Sequence, residues 1–577
     1  MSEKKSLEEY IFEIRNIIKS GNLNQGLIEI QNALKDYPSN PKLHINAGNI
    51  LKLKGEIKQA EEYYLQALSI YKSKEVLNNL SVIEIEKENY LQAITYAKEA
   101  INIDKAYIDA NYNIALAFEG IKDYEQCIIY INNTLRFDEN NSKALVLLFR
   151  VLKDTCEWEN IDQTSEKLNV MVGNGIEHPF LNISRCDDEK TNFEVANSWK
   201  KNNIPLHVKD TMAYVDQNKS DKIKVGYICG EFRNHPTFHL MKNFFSEHNL
   251  KKFNIYLFSY NHTQECKEKL TKDITEFIDI DNIDDDEIIK IILSYQLDIL
   301  IDLSILIPNN KLRIMQNKLA KKTISYLGYP GTSGSDDYDY IITDKTVTPE
   351  HQQQFYTEKF LYMPRYYQIN DGEKKFDKLK ATKEECGLPK NSIVLACFNQ
   401  PYKIEKTMFD CWLKILKDLP KSVLWLLNDN QKNKINLLKY VKENNIDQKR
   451  IIFAERVSRD EHIKRLGLAD IMLDTRFYNG HTTTTDAIQC GIPVVTLCGK
   501  HFASRVTMSL LKALDLEELT TKDIDEYKNT VIKLAKDKKY KVKIKDKLTS
   551  GKLIDDFYNI KKFVKEFEDL LEHSIGN

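Results

Sequence analysis

The sequence predicts two architectures in tandem: an all-helical repeat array, then a pair of α/β units with mostly parallel sheets. Three observations predict this. Small residues recur every 33 or 34 positions through the first quarter of the chain. From position 222, short β-branched or apolar runs alternate with amphipathic helical stretches, and after a loop-like 370–383 the alternation begins again. A chain of 577 residues has room for about three to four domains, which this division fills.

Gly26, Ala60, Ala93 and Cys127 form one small-residue series, and Ala33, Ala67, Ala100 and Thr134 a second, both spaced 34, 33 and 34 residues. The period is that of a tetratricopeptide repeat, whose paired helices cross closely and bury their apolar stripes only against neighbouring repeats. Breaks between paired helices are expected at Gly21-Asn22, Gly55-Glu56, Glu88-Asn89 and Lys122-Asp123, with a fainter copy through Cys156-Glu157-Trp158. About five stacked pairs are expected over 6–170. Asn46, Asn79 and Asn113 each stand nine residues before a break, hence at one position of the first helix, which faces the concave groove. An amide offers donor and acceptor together and suits an extended peptide backbone. In a chain rich in Lys, Asn and Ile the row also fits surface composition, and the sequence leaves both readings open.

A connector is expected over 171–220, where the period is lost and a helix-like 189–201 appears. The first α/β half, 221–383, has strand-like runs at 222–229, 253–260, 297–304, 323–329 and 340–344. The second, 384–577, has them at 392–398, 423–427, 450–454, 471–474 and 493–497, followed by closing C-terminal helices. Two doubly wound halves leave a cleft between the carboxyl ends of their sheets, where ligands of such folds bind.

Composition narrows the partners. Lys and Arg total 83 against 85 Asp and Glu, so no electrostatic excess favours nucleic acid or an anionic membrane. The most apolar stretch, 288–307, is interrupted by Lys290, Gln296, Asp298 and Asp302, and the first 16 residues lack the apolar core of a secretory signal. Ten cysteines without a CxxC pair suit unpaired thiols in a cytoplasmic protein, with no disulfide frame or zinc site expected. The acidic run 284–287 reads as a solvated helix start.

No GxGxxG or GxxxxGK[ST] motif is present, so phosphate must be held otherwise. The turn from Asn479 through Gly480, His481, Thr482 and Thr483 to Asp486 follows a strand and opens a helix, offering hydroxyls and free amides at the positive end of a dipole. Taken alone these threonines would only cap the helix. Lys403, at the carboxyl end of a strand in the same half, adds a charge suited to a diphosphate. In the first half a strand ends before His235 and Pro236, with Pro236 placed to open a helix running to His248. His235 at the cleft mouth is a polar catalytic candidate or a helix cap.

In these residues the chain resembles the tetratricopeptide-repeat protein O-GlcNAc transferases, of a bacterial type similar to the SPINDLY and O-linked GlcNAc transferase groups. The matching blocks, in order, include Lys224-Val225-Gly226-Tyr227, Asn234-His235-Pro236-Thr237, His239-Leu240-Met241, Leu327 to Gly334, and Asp339 to Asp344. They continue through Phe398-Asn399-Gln400, Tyr402-Lys403-Ile404, Leu473-Asp474-Thr475, Asn479 to Thr483 with Asp486, and Ala503 to Val506. The resemblance implies a repeat superhelix followed by a GT-B glycosyltransferase. It also implies inverting, metal-independent transfer of a sugar from a UDP-sugar to Ser or Thr hydroxyls of proteins bound along the repeats, with no cofactor; the repeats leave room for an oligomer, and the sequence leaves the oligomeric state open.

By matched position, Lys403 and His235 are the catalytic residues. Gln400, Lys403, His481, Thr482 and Thr483 would hold the diphosphate, Asp486 the ribose, and Arg459 with His462 the uridine. Gly331, Thr332 and Met241 would line the sugar pocket, and Asn46, Asn79 and Asn113 the acceptor groove. The chain departs from the family pattern at Ser304-Ile305-Leu306-Ile307-Pro308, where members have a small, polar turn. That departure leaves GlcNAc, fucose or another hexose open as the sugar. A non-catalytic repeat scaffold is the competing class.

Overall fold

The computed structural model describes residues 5–19, 22–204, 214–215, 220–308, 310–374 and 381–576. Gly21 of the first expected break, positions 205–213 and 216–219 of the connector, position 309, and 375–380 of the loop between the halves lie outside the described residues. The chain divides into two compact units, Met1–Val151 and Leu152–Asn577.

In the first unit α1 (Leu7–Lys19) pairs with α2 (Leu23–Asp36), α3 (Pro41–Leu53) with α4 (Ile57–Ile70), α5 (Lys74–Glu86) with α6 (Tyr90–Ile103), and α7 (Ile108–Gly120) with α8 (Tyr124–Phe137). The division falls inside α9 (Ser142–Asp154), so α10 (Ile161–Val170) belongs to the second unit. The small residues are where helix crossing needs them: Ala33, Ala60, Ala67, Ala100, Cys127 and Thr134 have no exposed surface. Gly55, Glu88, Lys122 and Cys156, the first residues of four breaks, all have positive φ, of 81°, 60°, 60° and 51°. A left-handed residue at this point turns the chain out of one helix and satisfies its last carbonyls before the next begins.

Two members of the asparagine row, Asn79 and Asn113, are tied into the array. Asn46, Asn79 and Asn113 occupy the sixth position of α3, α5 and α7. Asn79 Nδ2 donates to Asn49 Oδ1 (3.1 Å), and Asn113, 7% exposed, donates to Asn78 Oδ1 (2.8 Å) and Ser81 Oγ (3.3 Å). The expectation of three amides presented alike to a peptide is corrected for Asn113: its donor joins neighbouring repeats because the position is buried.

The second unit carries two parallel sheets. The first, in the order β3-β2-β1-β4-β5-β6-β7, comprises β1 (Ile223–Cys229), β2 (Phe253–Ser259), β3 (Glu276–Asp279), β4 (Leu297–Asp302), β5 (Ala320–Ser325), β6 (Tyr340–Thr343) and β7 (Lys359–Tyr362). The second, in the order β10-β9-β8-β11-β12-β13, comprises β8 (Ile393–Cys397), β9 (Ser422–Leu427), β10 (Ile451–Ala454), β11 (Ile471–Leu473), β12 (Val494–Leu497) and β13 (Thr520–Thr521). Ten strands coincide with expected runs, with β5 starting three residues earlier than expected. β3, β7 and β13 were not legible in the sequence. The helix expected from Pro236 to His248 stops at Met241, and a separate 3₁₀ turn spans Phe245–Glu247.

The closing helix Ile560–Gly576 packs on the first sheet, although it follows the second in sequence. Phe567 meets the rings of Phe244 and Tyr326 at 5.1 and 5.2 Å, and Glu568 Oε1 lies 3.0 Å from Nδ1 of buried His248, whose Nε2 is 2.8 Å from Tyr227 Oη. The acidic run 284–287 starts a helix, with Asp284 accepting from the Glu287 amide. All ten cysteines are free, and among the described residues no helix is long and apolar enough to cross a membrane.

Candidate active site

In each sheet the strand order reverses at one point, between β1 and β4 in the first and between β8 and β11 in the second. A crevice opens at the carboxyl ends of the strands at such a point. The loops leaving these four strands carry His235, Ser304–Pro308, Lys403 and the 474–483 turn.

Asp474, just past β11, organises the turn. Its Oδ1 accepts the Gly480 and Thr475 amides (2.7 and 2.9 Å) and the Asn399 side-chain amide (3.2 Å), while Oδ2 accepts the Thr496 hydroxyl (2.8 Å). Burial nevertheless pushes its carboxyl above the ordinary range. Gly480 is required here by space: a Cβ would lie 2.6 Å from Thr484 Oγ1 and 3.2 Å from Asn399 Oδ1. The turn delivers the chain into the helix Thr482–Gln489, with His481 at its start at φ 38° and without a side-chain cap. His481 Nε2 donates to the Ala503 carbonyl (3.0 Å), and burial together with the charge of Lys403 holds its imidazole well below its ordinary pKa. It is therefore neutral, and the first amides of the helix are free of a side-chain cap.

Lys403 closes the 3₁₀ turn Pro401–Lys403 that follows β8. Its Nζ donates to the Asn479 carbonyl (2.9 Å), which brings the lysine and the turn together as expected. Burial lowers its pKa to about 7, against the opposing pull of Asp474. Gln400 is held through Arg456, which donates to Gln400 Oε1 (2.8 Å) and pairs with Asp429.

Asp486, expected at the ribose, and Arg459, expected at the uridine, pair with each other through two contacts of 3.0 and 2.5 Å. His462, on the same helix as Arg459, stands edge-on to Phe398 (5.0 Å), and burial lowers its pKa to about 4. The sequence reading missed Arg465, three residues on and so on the same helix face. Its guanidinium lies over the Phe398 ring at 5.4 Å, its Nη1 donates to the Glu455 carbonyl, and its buried Nε has no partner. With Trp425, whose buried Nε1 is also unpartnered, it lines a cavity of ≈ 580 Å³ that Phe453 and Val457 complete. A second cavity, of ≈ 670 Å³, spans the halves between Asn234, His239 and Lys242 on one side and Arg459, Asp460 and Lys464 on the other.

In the first half His235 caps the helix Pro236–Met241, its Nδ1 accepting the Thr237 amide (3.3 Å). Nδ1 also lies 3.6 Å from Glu231 Oε2, and burial, then Arg233, lower the imidazole to about 4. The amide contact places the neutral ring's proton on Nε2.

The residues expected at the sugar pocket are all buried. Met241 has no exposed surface, because Thr237, Phe238, Leu240 and Met241 form the buried side of their short helix. Thr332 is 2% exposed and gives its hydroxyl to the buried Glu358 (2.7 Å), and Gly331 is buried beside Tyr329. The apolar turn after β4 is buried as well. Ile305, at φ 53°, and Leu306 pack in one core with Tyr329, Tyr338 and Tyr478. Among the described residues no group of three or more His, Cys, Asp or Glu side chains is arranged for a metal ion.

The glycosyl transferase family 41 model matches residues 198–383 and 380–567, and a tetratricopeptide repeat model matches 41–74 and 75–107. An Arabidopsis thaliana protein named Probable UDP-N-acetylglucosamine–peptide N-acetylglucosaminyltransferase SEC is 32% identical over 355 residues, 60% of this chain and 36% of that protein. The Caenorhabditis elegans UDP-N-acetylglucosamine–peptide N-acetylglucosaminyltransferase is 24% identical over 545 residues, 72% of this chain and 47% of that protein. The chain thus spans between about a third and a half of the length of these relatives. Among solved structures, a mutant of the Thermobaculum terrenum O-GlcNAc transferase superposes with a TM-score of 0.66 at 21% identity, covering 94% of this chain and 98% of that one, which shows a shared fold.

Proposed function

The chain belongs to glycosyl transferase family 41, and from that premise we propose that it transfers a sugar from a UDP-sugar to Ser or Thr hydroxyls of proteins, by inversion and without a metal ion. The observation that carries this reading is the convergence of Lys403 with the helix start at Thr482, joined through the Asn479 carbonyl. A single cation beside the positive end of a helix dipole suits a diphosphate, and both act more strongly on the charge that develops as the sugar–phosphate bond breaks than on the bound donor.

In this reading the acceptor oxygen attacks the anomeric carbon from the face opposite UDP. Its proton passes to a base, and UDP leaves with the bonding electron pair, its new charge met by Lys403 and the positive end of the helix Thr482–Gln489. With its proton on Nε2, His235 acts first as a donor that orients the acceptor. The cavity lined by Trp425, Phe453 and Arg465 takes the uracil, and Asp486 with Arg459 takes the ribose hydroxyls. The names of the relatives make UDP-GlcNAc the first donor to test, and the apolar turn 304–308 keeps other hexoses in the panel. The repeats receive the protein acceptor.

The test is nucleotide release and peptide mass shift with a panel of UDP- and GDP-sugars, in EDTA and with added magnesium or manganese. Transfer from one UDP-sugar in EDTA, reduced about 10² or more in Lys403→Ala, is the expected result. No release with any donor would favour the scaffold reading, and rescue of an EDTA-inactive enzyme by metal would overturn the metal-independent one.

A further inference from the structure

Lys403 has an unusual companion. Its Nζ lies 3.6 Å from the centroid of the Tyr478 ring, at the near limit for an ammonium on an aromatic face, and the same nitrogen donates to the carbonyl of the next residue, Asn479. Among the described residues no carboxylate lies within ion-pair distance of it. Asp474 acts only from farther off, its oxygens occupied by the Gly480 and Thr475 amides, the Asn399 side chain and the Thr496 hydroxyl.

The ring is 7% exposed and fixed on three sides, with His481 at 4.9 Å, Phe180 at 5.7 Å and Tyr402 at 6.3 Å. Its own backbone carbonyl accepts the Thr475 hydroxyl (2.6 Å). Tyr478 therefore has a set position before any ligand arrives.

We propose that Tyr478 is a positioning residue for Lys403: its ring is a neutral seat that keeps the ammonium charged and aimed while leaving its full charge for an incoming diphosphate. A carboxylate in this place would also keep the lysine protonated, but it would cancel the charge the leaving group needs and would repel the phosphates. An aliphatic side chain would do neither, and the buried ammonium would lose its proton more readily. This rests on the reading of Lys403 as the diphosphate partner.

The other groups facing Lys403 bear on its titration in known directions. Asp474 and Cys397 favour the charged form, and the imidazole of His481, held well below its ordinary pKa by burial and by Lys403 itself, is neutral beside it. The hydroxyls of Tyr402 and Tyr478 are held above their ordinary values by burial and stay protonated.

The experiment follows donor-dependent nucleotide release against pH for the full-length protein and for Tyr478→Phe, Tyr478→Leu, Tyr478→Met and Lys403→Ala. The active form carries a protonated Lys403, so activity falls as pH rises through its pKa. Phe keeps the aromatic face and should leave the basic limb in place. Leu and Met should move that limb down by about one pH unit, with kcat at pH 8 lowered about tenfold and the donor KM little changed. Met, flexible enough to fill the space, supplies the measurement if Leu does not fold. An unmoved limb in the Leu or Met variant, with Lys403→Ala inactive, would reduce Tyr478 to packing and overturn the inference. A limb shifted in Phe as well would assign the effect to the hydroxyl and overturn the ring. Wild-type turnover in Lys403→Ala would instead remove the underlying reading of the lysine.

Discussion

Arg459 and Asp486 hold each other by two contacts, Nη1 to Oδ2 at 3.0 Å and Nη2 to Oδ1 at 2.5 Å, with the carboxylate side chain only 6% exposed. The two residues come from different helices of the second half, 27 positions apart. Each was expected to contact the nucleoside, and the structure shows that they form one unit.

Breaking the pair from one side leaves a buried charge alone. Arg459→Ala is expected to lower stability by about 2 to 4 kcal/mol and to raise the donor KM. Asp486→Asn should destabilise less while weakening donor binding as much. Urea unfolding and UDP titration of both variants check this; equal stability of Arg459→Ala and wild type would mean the pair is solvated in solution.

Lys403 should cost stability at neutral and lower pH. Its folded value of about 7 lies below the ordinary 10.5, so the folded state binds fewer protons between these values and stability rises with pH across the window. The penalty is fully present below about pH 7. Lys403→Met should therefore melt higher than wild type at pH 6.5, with the gap narrowing towards pH 10. A gap that does not change with pH would contradict the buried-ammonium account.

Acid should unfold the second unit through its histidines. His235, His462 and His501 each have folded values of about 4 against 6.5, with burial the first cause in every case. Between those values the unfolded chain takes up more protons, so stability is lost as pH falls from 6.5 towards 4. The urea midpoint should drop between pH 7 and 5, and His462→Gln should flatten the slope by about one proton. An unchanged slope in that variant would remove His462 from the account.

The asparagine row predicts two separable effects. Asn113→Ala should lower the stability of the repeats by about 1 kcal/mol, because its amide joins Asn78 and Ser81. Asn46→Ala should change stability little. If the row also holds acceptor backbone, the double variant Asn46→Ala/Asn79→Ala should modify protein acceptors poorly while binding UDP as wild type does. Unchanged protein modification would leave the asparagines as inter-repeat ties.

Period and alternation determined the fold class from the sequence alone, because both are local properties that burial imposes on every repeat and every central strand. Gly55, Glu88, Lys122 and Cys156 could be placed at the breaks for the same reason. The strands that stayed hidden, β3, β7 and β13, are edge strands of two to four residues with partly exposed faces, too short for an apolar run to mark them, whereas the fourth edge strand, β10, carries Ile451-Ile452-Phe453 and was expected. Motif order assembled the site, since Lys403 and the 474–483 turn leave adjacent strands, β8 and β11, at the point where strand order reverses. Only the tertiary structure decided the contacts within it. The burial of Met241 and Thr332, the pairing of Arg459 with Asp486, the seat of Lys403 on Tyr478 and the return of the last helix to the first sheet each join residues far apart in sequence. Side-chain direction at such distances follows from how elements pack, and no spacing in the chain encodes it.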